Sequence, residues 1–242
     1  MTPLQSFIKL RTLIFFSLFL FLCKFSYGQS SAAKQKIDTV PKVQTANPLP
    51  KLRFGAQFGY GYRFERGFNE HWRDHHGVDC YLFKLKNGVS FGADITYYFS
   101  KYMGAGIKYN GIYSQAKLSK DFAIESPFDW FIIRTSEKVS IHYIGVFYAV
   151  RYFIIPHKHC IFLNAGVGYI GYRNKLKSLS PIGVRSEILT EGTLAFSAEI
   201  GHDFLVTKSF ALGLQVSTVI DLLNNQINGS HIDVTLGLRF WK

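Results

Sequence analysis

Imidazole, carboxylate and thiol side chains crowd into one stretch of ten residues: His71, Asp74, His75, His76, Asp79 and Cys80. These are ligand types for zinc or copper, and His71 and His75 would share one face if that stretch were helical. The spacing matches no standard site, and Trp72 and Arg73 stand among the ligands. The preferred reading is therefore solvated loop histidines, with no metal site assigned. A second pairing is Ser140 with His142, since residues i and i+2 of a strand lie side by side and a nucleophile needs an adjacent base. Glu137 is the nearest carboxylate in sequence, but nothing in the spacing makes it the orienting acid. No catalytic residue is assigned, and a Ser and a His at a polar rim need no special role. The chain has no phosphate-binding glycine loop after a strand, no credibly spaced pair of catalytic carboxylates and no CxxC, so no cofactor is expected.

The elements that must carry these residues are strands. Leu52, Phe54, Ala56, Phe58, Tyr60, Tyr62 and Phe64 alternate with Arg53, Gly55, Gln57, Gly59, Gly61 and Arg63, a period of two with one apolar, aromatic face and one small or charged face. The pattern returns at 89–99, 103–110, 161–169, 194–201, 210–217 and 232–240. A less clearly phased run, 139–153, brings the count to eight. In that run both faces are apolar, so period alone does not fix the facing. If Arg151 points inward, Ile144, Val146, Tyr148, Val150 and Tyr152 point outward.

The connections after the second, fourth and sixth runs are short, near Ser100-Lys101, Pro156 to His159 and Thr207 to Ser209. Those after the first, third, fifth and seventh are longer, about 65–86, 115–136, 174–190 and 222–230. Alternating short turns and long loops predict an all-β chain: an eight-stranded antiparallel up-and-down transmembrane β-barrel. A strand of about 11 residues tilted by about 40° covers an apolar band of ~25 Å, and backbone groups in lipid require the sheet to close. The rival is a soluble exported barrel with its apolar face inside. Two features count against it: the glycine-rich second face, which suits a crowded lumen, and aromatics grouped near strand ends (Tyr60, Tyr62, Phe64; Tyr97, Phe99; Phe240, Trp241) like interfacial girdles. The lumen then receives Arg53, Arg63, Lys108, Arg151 and Arg239 with Asp94, Glu199, Asp203, Asp221 and Asp233. An eight-stranded barrel is just wide enough for side chains to fill, so these charges are expected to pair and leave no open pore.

Of 242 residues, 48% are apolar, 18% are charged, and 14 Tyr, 23 Phe and 3 Trp supply the aromatics. That composition excludes a disordered tail, a collagen-like chain and a disulfide scaffold. Residues 1–28 read as a secretory signal peptide: Lys9 and Arg11, an apolar run from Leu13 to Leu22, and Ser26-Tyr27-Gly28 as a small-x-small cleavage site. The run is half the length of a spanning helix, and Leu22 before Cys23 is too large for a lipidation site. Residues 29–51, polar with three prolines, read as a flexible periplasmic linker, and 52–242 as the barrel. Cleavage leaves 25 basic against 16 acidic residues, a net +9. Export points this charge at anionic lipid or lipopolysaccharide phosphate rather than nucleic acid. Cys80 lies on a long loop and Cys160 beside a short turn, opposite ends of the barrel, so no disulfide joins them. The apolar run Phe128, Trp130, Phe131, Ile132, Ile133 either builds an external hairpin whose edge or aromatic face binds a partner, or marks an earlier start of the fourth strand. The earlier start is preferred.

With these strands in place, residues 52–242 resemble the small outer-membrane β-barrel family common in Bacteroidota and related to the OmpA and OmpX barrels. The most specific element is Thr235-x-Gly237-x-x-Phe240, similar to the C-terminal signal read by the barrel-assembly machinery. The family pattern ends on an aromatic two residues after Phe240, where this chain has Lys242, with Trp241 one place early. The resemblance implies an outer-membrane protein of a diderm bacterium with a structural, adhesive or envelope-interaction role. Its partners would be outer-membrane lipid and lipopolysaccharide, the barrel-assembly machinery through the last strand, and an extracellular or periplasmic protein. Lipid A deacylases of this barrel size carry a Ser/His pair on the lipid-facing rim, so Ser140 and His142 define the alternative of a lipid A-modifying hydrolase. The proline-containing tail defines another, an accessory subunit of a secretion system.

Overall fold

Because strand side chains alternate between two faces, the period-two runs can bury only one set each, and closing the sheet decides which. The computed structural model describes residues 49–64, 78–118, 134–155, 158–180, 183–222 and 229–242. Its elements are β1 (Leu52–Arg63), α1 (Val78–Lys86), β2 (Asn87–Tyr98), β3 (Met103–Leu118), β4 (Arg134–Ile155), β5 (His159–Ser180), β6 (Gly183–Leu205), β7 (Phe210–Asp221) and β8 (His231–Trp241). Every strand pairs antiparallel with the next, and β8 returns to β1 through a register running from Arg53↔Trp241 to Arg63↔His231, so the sheet closes. The amides of Lys51 and Leu52 both donate to the carbonyl of Lys242, tying the ring together at the short-turn end.

The charged and small face is inside and the apolar face outside. Arg53, Arg63, Lys108, Arg151, Arg239, Asp94, Glu199, Asp203 and Asp233 are all buried, while Phe58, Ile144, Val167, Ile200 and Leu236 are exposed. Asp221, the remaining acid of that set, is only half-buried, at the end of β7, where it accepts a hydrogen bond from the Ser230 hydroxyl at 2.7 Å. This is the inverse of a water-soluble barrel and the polarity of a transmembrane one. The facing of β4 follows Arg151: it is buried with Phe147 and Tyr143, while Ile144, Val146 and Tyr152 point outward. Glycine makes room for the lumen's charges. A Cβ at Gly55 would collide with the Asp94 carboxylate, and one at Gly237 with the Arg239 guanidinium. Leu236, the middle of β8, is 69% exposed. Leu236→Arg is expected to destabilise the barrel in a bilayer by about 2–4 kcal/mol, and Phe240→Arg, near the strand end, by less than about 1 kcal/mol. Urea titration of the two variants in lipid vesicles reads the difference, and equal costs would contradict the lipid-facing assignment.

The structure revises the sequence expectations in three places. First, β5 runs to Ser180 and β6 starts at Gly183, paired to the end through Ser180↔Gly183, where a loop was expected over 174–190. β3 and β4 extend likewise, to Leu118↔Thr135, while β2 leaves β3 at Val89↔Tyr113 and β7 leaves β6 at Ala195↔Asp221. Strands β3 to β6 therefore project beyond the ring as a four-stranded sheet whose two edges pair with no strand among the described residues. Beyond the level that α1 covers, both of its faces are largely exposed, so the polarity contrast that marks a strand in sequence disappears while backbone pairing continues. β4 starts at Arg134, earlier than residue 139, and Phe128 to Ile133 lie outside the described residues. Second, the expected first long loop ends in a helix, α1. Third, Trp241 is not a girdle residue: it is 2% exposed and points into the lumen, whereas Phe240 faces outward.

Candidate functional site

The interior is stacked in three layers. At the long-connection end, α1 turns Tyr81, Leu82 and Leu85 onto Ile112, Ala116, Val139, Ile141, Ile170 and Tyr172, an apolar cluster across the mouth. The Tyr81 hydroxyl donates to Glu137 at 2.5 Å, pinning the helix to β4.

Below lies the charged layer. Arg53 Nη2 is 2.9 Å from Asp94 Oδ1 and its Nη1 3.6 Å from Asp203 Oδ2, and Lys108 Nζ is 3.0 Å from Glu199 Oε2. Asn164 donates to the other Glu199 oxygen at 2.8 Å, and Asp233 accepts from Asn110 at 2.9 Å and from Ser217 at 2.8 Å. Arg239 donates to Gln57 and Gln215, whose side chains also bond each other at 2.6 Å. The register explains this density: Gly55 opposes Asp94 on one side and Arg239 on the other, so strands far apart in sequence deliver opposite charges to one level.

At the short-turn end a third layer closes the barrel. Tyr98 and Trp241 stack at 5.9 Å and 15°, with Phe147, Ala149, Cys160, Leu205 and Ala211 around them. The Arg151 guanidinium lies 3.7 Å over the Tyr98 ring and 5.3 Å from Trp241, its Nε donating to the Lys101 carbonyl at 3.1 Å. Aromatic faces thus hold this cation, where Arg53 reaches carboxylates and Arg239 reaches amides.

On the outer surface, Ser140 and His142 share the outward face of β4, as their spacing implies. His142 is exposed, and its Nδ1 sits 2.6 Å from the Tyr109 hydroxyl of β3, rings stacked at 6.0 Å. Glu137 is on the opposite face of the strand, taken by Tyr81 and Asn174. No Ser-His-acid relay assembles from these three. Of the loop cluster, His71, Asp74, His75 and His76 lie outside the described residues, as does the Asp79 side chain; Cys80 is exposed on α1 and Cys160 is buried near the short-turn end, both as free thiols.

Two features went unread in the sequence. His159 and His202 bring Nδ1 and Nε2 to 3.2 Å on the outer wall near the short turns, against Phe204. They are 43 residues apart and meet only through the β5–β6 register. Second, strand parity sorts the charges of the projecting sheet. Lys117, Arg134, Lys138, Arg173, Lys175 and Lys177 all fall on its outward face, with the pairs Lys138↔Lys175 and Ser140↔Arg173 side by side. The acids of this region among the described residues, Glu137, Glu187 and Glu191, all fall on the other face, which carries one base, Arg185, paired with Glu187.

No protein-family model matches the chain, and no curated protein does. Among solved structures it is similar to Ail, the attachment invasion locus protein of Yersinia pestis, at 12% identity and a TM-score of 0.44, covering 80% of this chain and 99% of that one. It is similar also to Neisserial surface protein A, at 11% identity and a TM-score of 0.46, covering 78% and 96%. A third is the N-terminal β-barrel domain of Pseudomonas aeruginosa OprF, at 10% identity and a TM-score of 0.42, covering 80% and 98%.

Proposed function

We propose that the chain is an integral outer-membrane β-barrel of a diderm bacterium, non-enzymatic, with a structural, adhesive or envelope-interaction role and a lumen filled by paired charges instead of an open pore. The observation that carries this reading is the inverted polarity: an exposed apolar wall around buried ion pairs such as Lys108–Glu199. A solvated surface would not leave that wall uncovered, and a conducting lumen would not be stacked with arginine, tryptophan and a helix. In this reading residues 1–28 are the export signal, 29–51 a periplasmic linker, and Thr235-x-Gly237-x-x-Phe240 addresses the barrel-assembly machinery. The surrounding partners are outer-membrane lipid and lipopolysaccharide. The projecting β3–β6 sheet offers an extracellular protein a strand edge along β6 that no described strand pairs, with Val184 and Ile188 exposed.

Two readouts on one preparation test it. The outer-membrane fraction is run on a gel with and without boiling in detergent, and the purified chain is placed in a planar lipid bilayer. A heat-dependent shift with no stable conductance is the expected pair of results. A soluble periplasmic chain without a shift would overturn the membrane reading, and steady channel steps would overturn the closed lumen.

A further inference from the structure

A groove of about 600 Å³ crosses the outer wall of β2 to β5 at mid-height, lined by Ala93, Ile95, Ile107, Ile144, Val146 and Val167. Its floor is the Gly145–Gly168 pair, two facing glycines that put no side chain on either surface. The one small outward residue at its edge, Ala93, opposes Tyr109. Other outward positions of the wall carry bulky residues such as Phe58, Leu214 and Leu236, and small ones among them such as Ala56 and Ala105 face no glycine pair.

Directly above this groove, on the same strands, stands the basic outward face. Six residues of β4 separate Ile144 from Lys138, ~20 Å along the strand. With a tilt of about 40° that is a rise of ~15 Å, one leaflet of a ~30 Å apolar core. Between the two levels sit the Tyr109 hydroxyl and the His142 imidazole, 2.6 Å apart, where a bilayer turns from acyl chains to polar groups. Higher still, a second concavity of about 340 Å³ gathers Lys117, Arg134 and Lys177 around Ser136. No acid shares this face among the described residues, so its cations meet no neutralising carboxylate there.

We propose that the groove and the basic face together form a binding site for one phosphorylated, acylated glycolipid of the outer leaflet. An acyl chain lies in the groove against Ile107, Ile144 and Val167, and the phosphates meet Lys138, Arg173 and Lys175, with phosphates farther along the sugar reaching Lys117, Arg134 and Lys177. Chemistry selects this occupant over a plain phospholipid. The cations are spread over several strand levels, more than a single phosphodiester can span, and ammonium and guanidinium groups on a rigid sheet favour a ligand carrying several phosphates. The groove alone would accept any acyl chain; the charge above it supplies the preference. The proposal rests on the membrane reading.

The test uses the full chain purified in detergent and titrated with bisphosphorylated, multi-acylated lipid A, bound lipid being counted by native mass spectrometry. Lys138→Glu/Lys175→Glu and Ala93→Trp are compared with Lys101→Glu/Lys208→Glu, which places the same charge change at the short-turn end. All are first checked for the heat-dependent gel shift. Binding weakened roughly tenfold or more by the first two variants and unchanged by the third is expected, since each removes charge-assisted contacts or fills the groove. Dephosphorylated lipid A and phosphatidylglycerol are expected to bind weakly, and millimolar inorganic phosphate not to displace the lipid. Wild-type affinity in either test variant, equal binding of the dephosphorylated lipid or phosphatidylglycerol, or displacement by free phosphate overturns the site while leaving the membrane reading intact. A wild-type chain without the gel shift overturns both.

Discussion

Lys108→Met is expected to lower the stability of the folded barrel by about 3–5 kcal/mol, because it leaves the Glu199 carboxylate buried without its cation. The ammonium sits 3.0 Å from Glu199 and 5.8 Å from the Tyr143 ring centroid, both groups almost wholly shielded from solvent. Asn164 keeps one hydrogen bond to the other carboxylate oxygen, which is too little to replace a full charge. Removing both members is expected to cost less: Lys108→Met/Glu199→Gln leaves no unpaired ion and keeps an amide for Asn164 to meet. Urea midpoints from the gel-shift assay, in lipid vesicles, measure both. A single variant within about 1 kcal/mol of wild type would mean that the lumen is wet enough to screen the pair. The cost also bears on the closed lumen, since a layer that tolerates losing a cation is one that water already occupies.

The barrel itself was legible because lipid and lumen impose opposite polarity on alternate residues. From Leu52 to Phe64 and from Ile232 to Phe240 the sequence is a record of facing, and register then brings Arg53 to Asp94 and Gly55 beside Arg239. Legibility stops where that contrast stops. The outer halves of β5 and β6 have water on both sides, so Lys175, Leu176 and Lys177 look like loop although they are fully paired. Helix α1 carries little amphipathic signal over nine residues, and its burial of Tyr81, Leu82 and Leu85 depends on a mouth built by the five strands β3 to β7. The same holds for the candidate sites. Ser140 and His142 were correctly placed on one face, but Glu137 is excluded from them by parity, and the sixfold basic face emerges only when β3, β4 and β5 are set in register. Charge arithmetic said that the chain is cationic, not that its projecting sheet gathers six bases on one face and its described acids on the other.

Trp241→Ala is expected to cost about 3–5 kcal/mol, and Phe240→Ala, one residue earlier, less than about 1 kcal/mol. Both are large aromatics at the end of β8, and their sequence context puts both in an interfacial girdle. The structure separates them. Trp241 stacks on Tyr98, lies tilted to the Phe153 ring with centroids 6.1 Å apart, and faces the Arg151 and Arg53 guanidiniums at 5.3 and 5.9 Å. Its loss empties the short-turn layer and removes an aromatic face from two buried cations, so cavity and electrostatic costs add. Phe240 meets the Phe210 ring at 5.4 Å and otherwise faces outward, where acyl chains take the place of a truncated side chain. Refolding from urea into vesicles without assembly factors keeps the comparison free of any role for Phe240 in the export signal. Equal costs would mean that Trp241 spends its time in the interface, and the lumen would then lack the aromatic floor that holds Arg151 without a carboxylate. A large difference fixes the odd placement of the last aromatic as structural: moved one position along a period-two strand, a ring that would anchor the barrel in lipid instead closes it from within.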